Sequence, residues 1–251
     1  MVDLHYADPR LAALYDAFCA GRPDFRFYLP LVLAAPRVLD AGCGTGELLR
    51  LARAAGHTGR LCGLDPAPAM LEVARVRPDV EWVLGDLGAV RWEGAFDLVV
   101  MTGHAFQVLT TDDQLRGALG AVRAALAEEG RFVFETRNPL VREWEGWGPG
   151  NATEIVRDGA VVRMANVAAP VSEGDLVSFT TAYSSPAWER ALISRSTLRF
   201  LSAGSLAAFL TGAGLAVEAQ FGDWDRSPLT DASPEIITVA RRAPQTSAEP
   251  L

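Results

Sequence analysis

Residues 40–46, DAGCGTG, set three glycines within five positions, directly after the apolar run that begins at Arg37. A glycine-rich turn that carries a strand into a helix leaves free backbone amides and the positive end of a helix dipole at the carboxyl edge of a sheet. An anionic or carboxylate-bearing ligand belongs there. Gly42 and Gly44 remove side chains that would block its approach, and Gly46 can take backbone conformations closed to other residues. Carboxylates recur along the same edge. Asp40 opens the loop, Asp65 ends the next apolar run, RLCGLD, and Asp86 ends the one after it, VEWVLGD. Acids at successive strand ends, where open sheets bind their ligands, suit ribose hydroxyls and an exocyclic amine, the polar groups of an adenosine ligand.

Two better-known glycine motifs do not fit. The dinucleotide fingerprint G-x-G-x-x-G would need glycine at position 47, where the chain has Glu47, and a carboxylate there would repel a pyrophosphate. A ligand with an amino-acid end carries an ammonium as well as a carboxylate. The phosphate loop is also excluded, because no Lys followed by Ser or Thr comes after these glycines.

The elements that must position these residues can be read from hydrophobic period. From position 36 to 135, short apolar runs alternate with segments of helical period, the pattern of strands and helices over a parallel sheet. Strands are expected at 37–42, 60–65, 80–86, 96–102 and 131–136. The helices between them place Leu, Ala and Val at intervals of three and four residues. Gly56 and Gly130 stand where helices should close, and TDD at 111–113 suits a helix start. From about 152 to 200, short β-rich runs separated by Gly, Asp and Pro read as antiparallel hairpins, and a helix and two strands follow, the last compatible with an antiparallel edge strand. The final APQTSAEPL, with little to bury, is expected to fray.

Composition narrows the partners. The chain has 251 residues, net charge −8 and a sequence pI of about 5.0, and all its basic residues are scattered arginines. Nucleic acid is therefore a poor partner. No apolar stretch approaches the roughly 20 residues needed to span a bilayer, so no membrane association is expected. Cys19, Cys43 and Cys62 fit neither a disulfide framework nor a zinc site, and no metal is expected; a soluble protein of the reducing cytoplasm is.

In VLDAGCGTG, GLDPAPAMLEVAR, VLGDL, FDLVVMTGHAFQVL and GRFVFETRNP, taken in this order, the chain resembles class I S-adenosylmethionine-dependent methyltransferases of the small-molecule type. The resemblance covers about 31–138 and, more loosely, the segment after 199. It implies a doubly wound, mainly parallel seven-stranded sheet (a Rossmann-like methyltransferase fold) with an antiparallel β insertion after strand five. The expected parts are a helical lid at 1–35, a cofactor-binding core at 36–138 and 201–243, an insertion at 139–200 contributing to an acceptor pocket, and a disordered tail at 244–251.

The resemblance implies S-adenosyl-L-methionine as cofactor, with Asp40, Gly42 and Gly44 at its methionine end. Asp65 would accept from the ribose hydroxyls and Asp86 from the adenine amine, with Leu87 and Met70 beside the ring; core filling explains Met70 equally. On the acceptor side stand His104, as general base or as a capping ring, and Phe106, Arg137 and Trp144, with Tyr6 and Tyr15 on the inner face of the lid. His5 and His57 read as surface residues. The expected reaction moves a methyl group to O, N or C of a small-molecule acceptor. A protein that binds the cofactor but catalyses an isomerisation or cyclisation remains an alternative, and a nicotinamide-dependent oxidoreductase is a weaker one because of Glu47.

Overall fold

The computed structural model describes residues 2–244; residues 245–251, most of the expected tail, lie outside the described residues. Four short helices lead the chain: α1 (Leu4–Ala7), α2 (Pro9–Ala12), α3 (Tyr15–Phe18) and α4 (Phe25–Ala34). There follow β1 (Arg37–Ala41), α5 (Glu47–Ala54), β2 (Arg60–Asp65), α6 (Pro68–Ala74), β3 (Glu81–Leu84), β4 (Phe96–Met101), α7 (Asp112–Ala125) and β5 (Leu126–Arg137). Five strands come next: β6 (Thr153–Arg157), β7 (Ala160–Asn166), β8 (Val171–Glu173), β9 (Leu176–Ser184) and β10 (Leu192–Arg199). The chain then closes with α8 (Ala203–Gly212), β11 (Leu215–Phe221) and β12 (Glu235–Arg242).

The seven strands of the main sheet run in the order β11-β12-β5-β4-β1-β2-β3, with β1 to β5 parallel and β12 antiparallel to both its neighbours. The winding reverses between β1 and β4, which opens a crevice beyond their carboxyl ends. Parallel strands are covered on both faces, and the burial shows it. Val38, Leu61, Leu98, Val100, Val133 and Ile237 pack towards α4 and α5. Their neighbours Leu39, Cys62, Val99, Phe132, Phe134 and Ile236 pack towards α7 and α8. One residue's step along a strand changes the layer it serves.

Gly46 and Gly63 let the sheet and α5 close around one indole: a Cβ on Gly46 would lie 2.2 Å from Trp82, and one on Gly63 2.5 Å from it. Gly56, at φ 93°, follows α5 as expected. Thr111 caps α7 in a reciprocal box with Gln114. Gly130 does not close that helix. The chain turns extended at Leu126, which pairs with Phe96, and the ladder between β4 and β5 then skips from Leu126 to Arg131 across Phe96 to Leu98. Sheet pairing overrides the helical propensity of the intervening Ala and Glu.

The second sheet, order β10-β9-β7-β6 with β8 beside β9, is antiparallel throughout. Trp144 and Trp147 seat it, with ring centroids 4.5 and 6.2 Å from Phe200, and Trp147 also lies 5.2 Å from Phe179. Among the described residues no helix is long and apolar enough to cross a membrane.

Candidate functional site

At the end of β1 the glycine loop folds back on β2: the amides of Gly42 and Cys43 donate to the Leu64 carbonyl at 2.7 and 3.1 Å. Gly42, Gly44 and Gly46 all have positive φ, at 80, 55 and 73°. The loop is tied to the next strand by Asp65, whose carboxylate oxygens accept from the Gly44 and Ala67 amides, each at 2.8 Å. Each oxygen keeps a second lone pair for a ligand hydroxyl. Burial raises the Asp65 carboxyl above its usual range while the two amides pull it back.

Asp40, one position behind the loop, is 1 % exposed, and its Oδ1 is buried without a hydrogen-bond partner. Burial pushes its carboxyl up to about 7. Beside it, Arg22 pairs through two nitrogens with buried Asp24, lies 4.4 Å over the Phe25 ring and packs against Gly103. Tyr15, Arg22, Asp40, Gly42, Gly44 and Thr102 enclose a small cavity here. A cation beside the loop, and an unpartnered carboxylate under it, match the carboxylate and ammonium of an amino-acid end. The residues present thus fit the methionine end of the expected cofactor.

At the adenine end the fit is looser. Asp86 is exposed and its Oδ1 accepts from the Gly88 and Ala89 amides at 2.8 and 3.0 Å, closing the turn that buries Leu87. Oδ2 has no partner among the described residues. Met70 is buried with Ala12, Ala67 and Ala69 beneath Tyr6 and Tyr15, between α6 and the first helices. It fills core in this arrangement.

The acceptor-side residues separate into two groups. Tyr6 and Tyr15 come together with centroids 6.1 Å apart, and His5 lies 4.6 and 5.4 Å from them. His5 is not a surface residue: its amide donates to Ser194 Oγ at 3.0 Å and its Nδ1 meets the Tyr183 hydroxyl, so it joins α1 to the second sheet. Burial lowers its pKa to about 4 and lifts that of Tyr6 to about 12. His57 is buried as well, with Nε2 2.8 Å from the Ala35 carbonyl.

His104 sits after β4 in a left-handed conformation, φ 61°. Its amide donates to Glu135 Oε1 at 2.7 Å, and Glu135 Oε2 accepts from the Tyr28 hydroxyl. Its Nε2 lies 3.0 Å from both oxygens of Glu235, the first residue of β12. Burial drives the imidazole down to about 4 and Glu235 up to about 8, so each disfavours its charged form.

Three expected acceptor contacts are engaged elsewhere. Phe106 turns into the core, 2 % exposed and stacked on Phe134 at 4.2 Å, because the left-handed His104 redirects the following turn inward. Arg137 is bound to Gln107 Oε1 and Glu143 Oε2, both at 3.1 Å, and lies 5.1 Å from the Trp147 ring. Trp144 packs on Phe200. Conversely, Arg22, Glu135 and Glu235 emerge only from the fold. The R-x-D spacing of Arg22 and Asp24 is their one local signal, since Glu235 reaches His104 across 131 positions.

Comparison with known proteins agrees with this geometry. Residues 38–130 match the family profile described as "Methyltransferase domain". A 2-phytyl-1,4-naphtoquinone methyltransferase from Thermosynechococcus vestitus is 53% identical over 57 residues, 21% of this chain and 25% of that protein. The chain thus matches only a quarter of that relative's length. A trans-aconitate 2-methyltransferase from Methylobacterium radiotolerans is 28% identical over 248 residues, 88% of this chain and 93% of that protein. A solved S-adenosylmethionine-bound amino pentose methyltransferase from Micromonospora echinaspora superposes with a TM-score of 0.63 at 25% identity, covering 92% of this chain and 89% of that one.

Over residues 38–130 and in its fold the chain is similar to S-adenosylmethionine-dependent methyltransferases.

The residues expected to hold the cofactor lie at the carboxyl ends of β1, β2 and β3, while His104 follows β4 and Glu235 begins the antiparallel β12 beside β5. The glycine loop and the contact of His104 with Glu235 therefore lie on the two sides of the crevice where the sheet reverses.

Proposed function

We propose that this protein transfers a methyl group from S-adenosylmethionine to a small-molecule acceptor. The observation that carries the reading is Asp40, a buried carboxylate whose Oδ1 has no partner at the foot of a glycine loop. Burying such a group costs free energy unless something bound completes it, and an ammonium would do so.

When bound, the cofactor supplies an electrophilic methyl group on a sulfonium. The chain's own residues bind, orient and exclude water. Arg22 holds the carboxylate end, Asp40 the ammonium, Asp65 the ribose hydroxyls and Asp86 the adenine amine. Tyr6 and Tyr15 wall the acceptor side, and His104 stands where a proton can be taken from the acceptor. The first helices and the second sheet close this side through the link from His5 to Tyr183 and Ser194. Residues 1–35 and 139–200 then act as lid and wall of the pocket. The free cysteines Cys19, Cys43 and Cys62 suit a reducing cytoplasm. The net charge of −8 favours a metabolite over nucleic acid.

Calorimetric titration with S-adenosylmethionine, S-adenosylhomocysteine and NAD tests the reading. Selective binding of the sulfur pair, weakened about 10- to 100-fold in Asp65→Ala as lost charged hydrogen bonds imply, is the expected result. Preference for NAD, or full affinity in a folded Asp65→Ala, would overturn the cofactor site.

A further inference from the structure

His104 is held from two sides in a way a core histidine does not need. Its backbone is pinned in the left-handed region by a charge-assisted bond from its amide to Glu135, which is itself fixed by Tyr28 of α4. Nε2 is centred on both oxygens of Glu235 at 3.0 Å. Nδ1 has no hydrogen-bond partner among the described residues, and it is not among the buried polar atoms left without one. An imidazole fixed through one nitrogen, with the other free, is the arrangement in which a carboxylate sets the tautomer and the free nitrogen does chemistry.

We infer that Glu235 is a positioning residue that makes His104 the proton acceptor of the site, with Nδ1 directed at a substrate that sheds a proton from nitrogen or oxygen. This role presupposes the methyl-transfer reading above and deepens it by naming the acceptor class as an amine held as ammonium, or a hydroxyl.

The proton step balances by itself. The N–H or O–H bond of the acceptor breaks, its electron pair stays on the nucleophilic atom, and a new N–H bond forms at Nδ1. The resulting imidazolium keeps its Nε2 proton against the Glu235 carboxylate. Carboxylate acceptors need no such base, and they need a free cation that the site does not offer. Arg22 pairs with Asp24 and faces the cavity assigned to the cofactor's own carboxylate, and Arg137 is committed to Glu143, Gln107 and the Trp147 ring. The crevice instead gathers the buried carboxyl groups of Asp40, Asp65, Glu135 and Glu235, whose oxygens accept hydrogen bonds from an ammonium or a hydroxyl.

The groups that face His104 set its titration. They are Glu235 from β12, Glu135 and Arg137 from β5, Glu143 after β5, and Asp24 and Tyr28 at the start of α4. Burial of the pair raises Glu235 to about 8, so the carboxylate that fixes the Nε2 proton and frees Nδ1 forms on the alkaline side of neutrality.

The test is nitrogen-15 NMR of the imidazoles in the ligand-free full-length protein between pH 6 and 10, with His104 assigned by its loss in His104→Ala. The expected result is a His104 transition near pH 8, at which the Nδ1 signal moves to the unprotonated position. It should be absent above pH 7 in Glu235→Gln and present, with a shifted midpoint, in Glu235→Asp. Unchanged binding of S-adenosylhomocysteine by the variants shows that the fold is kept. The inference is overturned if the parent shows no transition, if Glu235→Gln keeps it, or if Glu235→Asp loses it while still binding S-adenosylhomocysteine. If the parent does not bind S-adenosylhomocysteine, the cofactor reading fails separately, because the ring titration needs no ligand.

Discussion

The two poles of the crevice are built by opposite means. The glycine loop is held from one neighbouring strand: Leu64 and Asp65 take the amides of Gly42, Cys43 and Gly44, all within about two dozen positions of the chain. The pole around His104, proposed for the acceptor, is assembled from the whole molecule. His104 meets Glu235 across 131 positions, Tyr28 meets Glu135 across 107, and His5 meets Tyr183 across 178. A shared cofactor can be bound by a loop that reforms wherever the strand-turn-helix unit does, whereas a particular acceptor needs groups that only this assembly brings together.

That contrast predicts that the poles fail separately. His104→Ala should lower kcat on the acceptor by about 100- to 10,000-fold, the usual worth of a general base, while S-adenosylhomocysteine binding stays intact. A parallel loss of cofactor affinity would mean that the poles are one unit. Gly46→Ala should break the other pole. A Cβ there would lie 2.2 Å from Trp82 at a φ of 73°, so strain and overpacking together should cost about 3–4 kcal/mol in a urea melt. An undiminished midpoint would show that the indole yields freely.

Asp40→Asn sharpens the comparison through pH. The folded carboxyl is raised to about 7, so its contribution to stability is present in acid and is lost as pH rises from about 4 through about 7. Asparagine has the same shape and no such loss. At pH 8 the ligand-free variant should be more stable than the parent by up to about 4 kcal/mol, with the difference fading towards pH 4, while its cofactor binding weakens. Equal stability at both pH values would mean that Asp40 is already neutralised within the protein.

Legibility follows the same division. Alternating buried positions such as Val38 and Leu39, or Phe132 and Val133, serve opposite helix layers, so the sheet was readable from its apolar runs. The glycine loop and Asp65 were readable because their spacing is local. Gly130 misled because Leu-Ala-Glu-Glu favours a helix in isolation, and only the pairing of Leu126 with Phe96 ends it. Phe106 misled because nothing adjacent signals that His104 takes a left-handed backbone. Glu235 was invisible as a partner, since a glutamate at the start of a strand carries no mark of the histidine it will face.

Trp144 offers the smallest effect and the finest distinction. Its position after β5 suits an acceptor wall, yet its ring meets Phe200 edge-on at 4.5 Å at the point where the second sheet joins the first. An aromatic pair of this kind contributes about 0.5–1.5 kcal/mol beyond area burial, so Trp144→Ala should lower the Tm by roughly 2–4 °C. If the ring only seats the sheet, Trp144→Leu should regain part of that loss and KM for the acceptor should not move in either variant. A rise in KM with no change in Tm would instead place Trp144 against the acceptor, extending the acceptor pole into the segment that now looks like its hinge to the second sheet.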